Sequence, residues 1–390
     1  MLLPLRETGP ARAAALTAEQ ARRLAAAGIV DVRPGATPGT WMVRADRAVG
    51  AARVGDVELR IETKVPVARL LFLLGYARNP LMWRDETIGM PEHSGLVPAI
   101  AAALWRQVGQ ALRGGLLYGY REVDETAPVL RGRLRETDQL GKRFGAPLPL
   151  EINHDEYTVD IPENRILATA LDRLVHVPGL DPPTRAMLRH QSHRFVDVAR
   201  LHHGQRPPDW QPGRLNSRYH VALRLAELVL SGTSLEAGLG TVASNGFLVD
   251  MPRVFEDFLS VALRRSITAR HGGVVSLQAA GHLDVAHRIG LRPDLLWRRG
   301  GQDTAVVDAK YKAHIPASDA YHMLAYCTVY GLRRGHLVYV TGDHPPTRHL
   351  VVKAGTEIIC HALDLALPAP LLLARIDQIA DEIAGTAGTP

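Results

Sequence analysis

Residues 291–312 read Leu-Arg-Pro-Asp-Leu-Leu-Trp-Arg-Arg-Gly-Gly-Gln-Asp-Thr-Ala-Val-Val-Asp-Ala-Lys-Tyr-Lys and leave little room for any fold but a β-hairpin. The first arm runs over 294–297, and the Arg-Arg-Gly-Gly-Gln-Asp run supplies turn chemistry. The β-branched return arm over 304–307 then ends in Asp308-Ala309-Lys310. Side chains alternate along a strand, so Asp308 and Lys310 point the same way. With Asp294 on that side at the start of the neighbouring arm, two carboxylates can hold a hard divalent cation while the ammonium orients a water. This is the arrangement of a metal-dependent phosphodiesterase. Only five lysines occur in the chain, Lys64, Lys142, Lys310, Lys312 and Lys353, and two of them fall in this motif. Arginine presents a broad, permanently charged fork, whereas lysine is a compact charge with an adjustable pKa, so a site that handles one water has reason to use lysine. On the short pattern alone, a catalytic hairpin and a solvated surface hairpin both stay open.

The flanking sequence supplies context. Residues 252–265 place Val254, Phe255, Phe258, Leu259 and Ala262 on one helical face with Glu256 beside it. Glu256 is a candidate for a second metal or a metal-bound water, and equally for an exposed helix position. Downstream, a helix is predicted with Ser318 as N-cap and His322 and Tyr326 one turn apart, followed by a buried strand over 335–342. Helix, strand pair, helix and strand in this order suit a small α/β nuclease core. Lys312, two residues beyond Lys310, is read on the same strand face as a possible phosphate contact, and Tyr326 as a support that packs on the strands. Arg264, Arg265, Arg298 and Arg299 are candidate phosphate contacts on what is by default charged surface.

With these residues in place, the C-terminal part resembles the PD-(D/E)xK nuclease superfamily, and the whole chain resembles the McrC family of 5-methylcytosine-specific restriction systems. The resemblance extends to Leu-Arg-Gly-Arg-Leu at 130–134, to 156–160, to Asn-Arg-Ile-Leu at 164–167, and to Ile-Glu-Thr-Lys-Val-Pro-Val at 61–67 with the apolar run 70–76. It covers roughly residues 25–345. It implies a Mg²⁺-dependent endonuclease with Asp294, Asp308 and Lys310 at the catalytic centre, acting on double-stranded, methylated DNA together with a McrB-like AAA+ GTPase. One position departs from the pattern: the helix after Asp-x-Lys usually carries glutamine where this chain has His322. A neutral imidazole can still donate a hydrogen bond there.

A chain of 390 residues with 46% hydrophobic and 22% charged content has room for two or three domains, and its net charge of +6 is compatible with a polyanionic partner without requiring one. The division read is a β-rich partner-binding module over 1–95, a helical middle region over 96–235, and the nuclease domain over 236–390. Within them, strands are predicted at 29–32, 40–44 and 57–61, and helices at 99–112, 165–175, 182–201, 219–230 and 371–383. A strand or helix is read at 358–367. The Gly-rich segment 231–246 approaches the nuclease domain, and the tail 385–390 is read as loose. Thr17 and Gln20 are spaced as a capping box for a short helix that Gly28 ends. Two cysteines, Cys327 and Cys360, suggest neither a disulfide framework nor a zinc site. A soluble, cytoplasmic protein is expected, because no signal core and no membrane-length apolar run is present. Gly141-Lys142 lacks the upstream glycine of a phosphate-binding loop, so nucleotide hydrolysis falls to a partner. Two further readings stay open: a PD-(D/E)xK nuclease of another DNA-processing pathway, and a non-catalytic scaffold that activates an AAA+ NTPase.

Overall fold

The computed structural model describes residues 1–78, 80, 95–144, 146–202, 204–233, 244–312, 317–340 and 347–386. Contacts gather the chain into two compact units, residues 1–96 with 248–390, and residues 97–247. The first and last of the three regions read from sequence therefore belong to one unit.

The chain opens with β1 (Leu2–Arg6), β2 (Arg12–Ala15), α1 (Ala18–Ala26), β3 (Val30–Pro34), β4 (Thr40–Ala45), β5 (Ala48–Val54), β6 (Val57–Glu62) and α2 (Val67–Arg78). The Thr17–Gln20 capping box forms as predicted, and Gly28 follows the helix in the left-handed region. Strands β2, β4 and β3 make one antiparallel sheet, while β1 runs parallel to β6 in a second. The sequence reading found β3, β4 and β6 but missed β1, β2 and β5, which are short or rich in alanine. The apolar run at 70–76 lies in α2, with Leu70, Leu71, Phe72, Leu73 and Tyr76 all buried.

The second unit is built mainly from α3 (Leu96–Ala111), β7 (Gly119–Ala127), β8 (Arg133–Leu134), α4 (Glu136–Arg143), β9 (Leu150–Thr158), α5 (Pro162–His176), α6 (Pro182–His193) and α7 (His220–Thr233). The predicted helix over 182–201 ends at His193 and continues as successive turns. The sheet β7-β9-β8 was not anticipated, because the partly covered face of β7 carries Arg121 and Glu125 instead of an apolar stripe. Ion pairs hold that face. Asp160 accepts from Arg165 at 2.7 and 2.6 Å, from the Ala199 amide at 2.9 Å, and from Arg121. Asn164 donates to the Leu117 and Val159 carbonyls, at 2.8 and 2.7 Å. The segments around 156–160 and 164–167 thus serve as structural joints of this unit. The Arg165 guanidinium first, and the Ala199 amide and Arg121 after it, hold the Asp160 carboxyl below its ordinary pKa. A depressed folded-state value means the stabilisation is complete above about pH 4 and is lost as pH falls through the folded value. Asp160→Ala should cost about 2–3 kcal/mol in urea unfolding at pH 7, and the deficit should shrink toward pH 3.

The chain continues with β10 (Ser244–Asp250), α8 (Met251–His271), β11 (Val274–Leu277), β12 (Gly281–His282), β13 (Gly290–Leu291), β14 (Leu295–Arg299), β15 (Gln302–Lys310), α9 (Ala317–Val329), β16 (Arg334–Val340), β17 (Thr347–Leu350), β18 (Glu357–Leu363) and α10 (Ala369–Thr386). Within the first unit, Phe72 and Tyr76 of α2 pack edge-on against Phe258 of α8, with centroids 5.9 and 5.5 Å apart. A six-stranded sheet has the order β11-β14-β15-β16-β18-β17, with β15, β16 and β18 parallel. Parallel neighbours need a crossover, which α9 supplies between β15 and β16. Met323 and Cys327 of α9 pack with Leu296, Val306, Leu337, Tyr339, Ile358 and Cys360 on one sheet face. Helix α10 is tied to α8 by Ser266 to Asp377 (2.6 Å) and Arg270 to Asp381 (2.9 Å).

Several expectations change. Ser318 lies inside α9, which begins at Ala317, so it is not the cap. Residues 358–367 resolve as strand β18 to Leu363, and α10 extends through Thr386, taking in Gly385 and Thr386 of the tail expected to be loose. Residues 341–342 of the predicted strand, 234–243 of the Gly-rich segment and 387–390 of the tail lie outside the described residues. No helix among the described residues is long and apolar enough to cross a membrane. Both cysteines are free and buried.

Candidate active site

The hairpin forms where the sequence places it. Strands β14 and β15 are antiparallel with Leu295 opposite Val307 and Arg299 opposite Gln302, so Gly300 and Gly301 alone make the turn. Both have positive φ, +60° and +82°, as a two-residue primed turn requires. Val306 faces the α9 side of the sheet, and strand alternation puts Asp308 and Lys310 on that side too. Asp294 immediately precedes β14 and reaches across: its Oδ2 accepts from the Ala309 amide at 2.7 Å. Asp294 and Asp308 are both buried, at 9% and 3% exposure, which leaves two carboxylates poorly solvated beside one another.

The electrostatics follow. Burial, then the Asp308 charge, push the Asp294 carboxyl up to about 9, and Glu256 adds to the rise through its charge and a shared hydrogen bond. Asp308 Oδ2 is buried and is held by the Lys310 ammonium. For Lys310, burial opposes the charged form, but Asp308 outweighs it, with help from Asp319 and Asp294, and the pKa is raised. About a fifth of the Lys310 side chain remains exposed, so a substrate can reach it. Burial and both aspartates raise the Tyr326 phenol, whose hydroxyl donates to the Arg292 carbonyl at 3.4 Å. Asp294, Asp308, Lys310, Glu256 and Tyr326 are therefore brought together.

Two residues are not. Lys312 was read on the strand face of Lys310, but β15 ends at Lys310, and the Lys312 amide turns back to the Lys310 carbonyl at 2.8 Å. Its ammonium instead meets Asp319 at 3.2 and 3.3 Å. His322 stands exposed on α9. Of the four arginines, Arg298 is paired with Asp303 at 2.5 Å, and Arg265 donates to the Pro80 carbonyl at 3.2 Å.

The sequence reading missed two side chains. Asp319, 3% exposed, accepts from Lys312 and from the Tyr339 hydroxyl (3.2 Å) and adds negative charge behind Lys310. Gln278 donates to Glu256 at 2.7 Å and accepts from Arg292 at 2.6 Å, while its amide donates to the Asp294 carbonyl at 2.9 Å. An acid in the first turn of α9 was a visible signal for Asp319; nothing local marks Gln278. Two clefts of about 400 and 390 Å³ lie on the N-terminal β strands around Asp31, Arg33 and Arg44 and contain none of these residues.

The family model of the McrBC 5-methylcytosine restriction system component matches residues 43–340. The chain belongs to this family. The McrC resemblance read from the sequence is borne out, over a similar span. Among solved structures, a half-complex from a tetradecameric assembly of Thermococcus gammatolerans McrB AAA+ hexamers with bound McrC matches with TM-score 0.64 and 17% identity, covering 98% of this chain and 100% of that chain. A cryo-EM structure of the Thermococcus gammatolerans McrBC complex matches with TM-score 0.42 and 20% identity, over 68% of this chain and 88% of that one. No curated protein sequence matches. The McrBC family member described here is thus a mixed α/β protein of two units whose fold follows that of a chain in the first of these assemblies.

Proposed function

We propose that this chain is the DNA-cutting subunit of a modification-dependent restriction system, hydrolysing phosphodiester bonds with Mg²⁺ on a PD-(D/E)xK core. The observation that carries this reading is the meeting of Asp294 and Asp308, two buried carboxylates from antiparallel neighbours, with Lys310 on the same face. These residues fit a hard cation. Asp308 is buried beside Asp294, and Asp294 is driven toward its protonated form; a divalent ion held by the two carboxylates would relieve that cost. No three His, Cys, Asp or Glu side chains among the described residues converge on one point in ligand geometry. Two aspartates completed by the Ala309 carbonyl and solvent suit Mg²⁺, which keeps several waters, with Glu256 in reserve through its bond to Asp294. Mg²⁺ held by Asp294 and Asp308 would supply Lewis acidity, lowering the pKa of a bound water and stabilising charge on the phosphate. Lys310, kept protonated by Asp308, orients that water and neutralises phosphate charge. Tyr326 and Asp319 hold the surrounding backbone and Lys312 in place.

The partner is proposed on the same footing. The matched assembly pairs McrC with McrB AAA+ hexamers, and this chain has no phosphate-binding loop of its own. A McrB-like AAA+ GTPase would supply translocation on methylated duplex DNA. The second unit offers a surface for it: the exposed Tyr118 and Tyr120 both pack against the exposed Tyr157, with ring centroids 5.3 and 5.1 Å apart. Contiguous exposed apolar groups of this kind mark protein contacts.

Metal binding can be tested without activity. Mg²⁺ at ten times its Kd should stabilise the wild type by about 1.4 kcal/mol and leave Asp308→Asn unmoved in thermal unfolding. Equal stabilisation of both proteins would place the cation elsewhere.

A further inference from the structure

Between β11 and β14 the chain makes a small ribbon, β12 paired with β13, that ends three residues before Asp294. We propose that this ribbon, residues 281–291, docks in a groove of duplex DNA and so sets the scissile phosphate over the two aspartates. The inference rests on the nuclease reading above.

The ribbon has a shape of its own. The Leu283 amide donates to the Ile289 carbonyl at 2.9 Å and the His287 amide to the Asp284 carbonyl at 3.1 Å. Asp284 Oδ1 accepts from the Arg288 and Ile289 amides at 2.9 and 2.7 Å. The His282 and His287 rings stack with centroids 4.3 Å apart, and His287 takes a left-handed φ of +57°. A tip that satisfies its own backbone groups keeps its form without a core beneath it, and is preorganised for whatever it meets.

What it presents is apolar at the apex and basic along the sides. Val285 is 99% exposed, with Leu283 and Ile289 at 44% and 52%. Arg288, Arg292, His282 and His287 are exposed around them, and the one acid of the ribbon, Asp284, is spent on the two backbone amides. A polyanion complements this charge. The major groove admits a two-stranded β-ribbon, and apolar tips flanked by arginines are a recurrent way of engaging DNA grooves. An apolar protein surface would bury the same apex only by stripping solvent from the flanking cations.

The base of the ribbon is wired to the candidate site. Gln278, just before it, bonds Glu256 and Arg292. Arg292, just after it, receives the Tyr326 hydroxyl on its carbonyl. Only Pro293 separates Arg292 from Asp294. The seating of the ribbon along a groove therefore fixes where the backbone phosphates lie relative to Asp294 and Asp308.

The test uses the full-length chain in an Asp308→Asn background and a fluorescein-labelled duplex, read by anisotropy. Val285→Asp and Arg288→Glu should each weaken binding roughly tenfold or more. Arg288→Ala should lower the slope of log affinity against log salt by about 1. Val352→Asp makes the same change at an 84% exposed valine between β17 and β18, at the opposite edge of the sheet, and should leave binding as it was. In a second measurement Val285→Cys, whose new thiol is accessible while Cys327 and Cys360 are buried, carries a photoreactive group and should crosslink to the duplex. Unchanged affinity in both charge variants, or no crosslink from Val285→Cys to the bound duplex, overturns the docking role. Failure of the nuclease reading looks different: a wild type that binds through the ribbon but never cuts retains the docking surface and loses the chemistry.

Discussion

Asp308→Asn and Lys310→Met should each slow Mg²⁺-dependent DNA cleavage by about 10³-fold or more, with the fold preserved. Asp308 sits near the C-terminal end of a central strand, and asparagine keeps its volume while surrendering the charge that the proposed cation and Lys310 require. Methionine fills the space of the lysine stem but cannot orient water or meet a phosphate. Because Asp308 is also the main group that keeps the buried Lys310 ammonium charged, Asp308→Asn removes the proposed metal ligand and weakens the lysine together. Conversely, Lys310→Met retains both aspartates and should still bind Mg²⁺. Single-turnover cleavage together with Mg²⁺ titration separates the two defects. A Lys310→Met protein that cuts at the wild-type rate would remove the lysine from the mechanism.

The second large effect runs in the opposite direction. Asp294→Asn should stabilise the metal-free protein by roughly 1–3 kcal/mol while abolishing cleavage. In the wild type the Asp294 carboxyl is buried against Asp308 and Glu256, so its ionised form is costly even with Lys310 paired to Asp308. Asparagine can keep the bond from the Ala309 amide through its oxygen and donate to Glu256 through its nitrogen. Binding sites commonly hold such unfavourable charge because the ligand relieves it. Saturating Mg²⁺ should therefore close the stability gap from the wild-type side. Urea unfolding in EDTA and in Mg²⁺ measures both arms; an Asp294→Asn protein that is less stable without metal would make Asp294 a structural group.

The parts of the fold that local chemistry dictates were legible. The Gly300-Gly301 turn, the β-branched arm of β15 and the apolar stripe of α8 carry their own signals, and they bring Asp308 and Lys310 to one face. What depends on distant partners was not. Gln278 matters through Glu256 and Arg292, which lie 22 and 14 residues away, and no local pattern marks it. Lys312 was misplaced because alternation was extended past the end of β15, where a tight turn redirects the chain toward Asp319. The β7-β9-β8 sheet was missed because Arg121, Asp160 and Arg165 do with charge what strands usually do with apolar residues. The gathering of residues 1–96 with 248–390 in one unit draws on the place of β10 beside β5 in one sheet and on aromatic packing of α2 on α8, contacts between segments nearly two hundred residues apart.

The most direct measurement mixes the purified chain with its AAA+ partner, nucleotide and Mg²⁺, and follows methylated and unmethylated plasmid beside the Asp308→Asn and Lys310→Met proteins. The account predicts breaks in the methylated plasmid with the wild type and none with either variant, while all three stimulate nucleotide hydrolysis by the partner. Intact DNA in every mixture, with hydrolysis stimulated equally, would contradict it and leave the chain an activator of its partner.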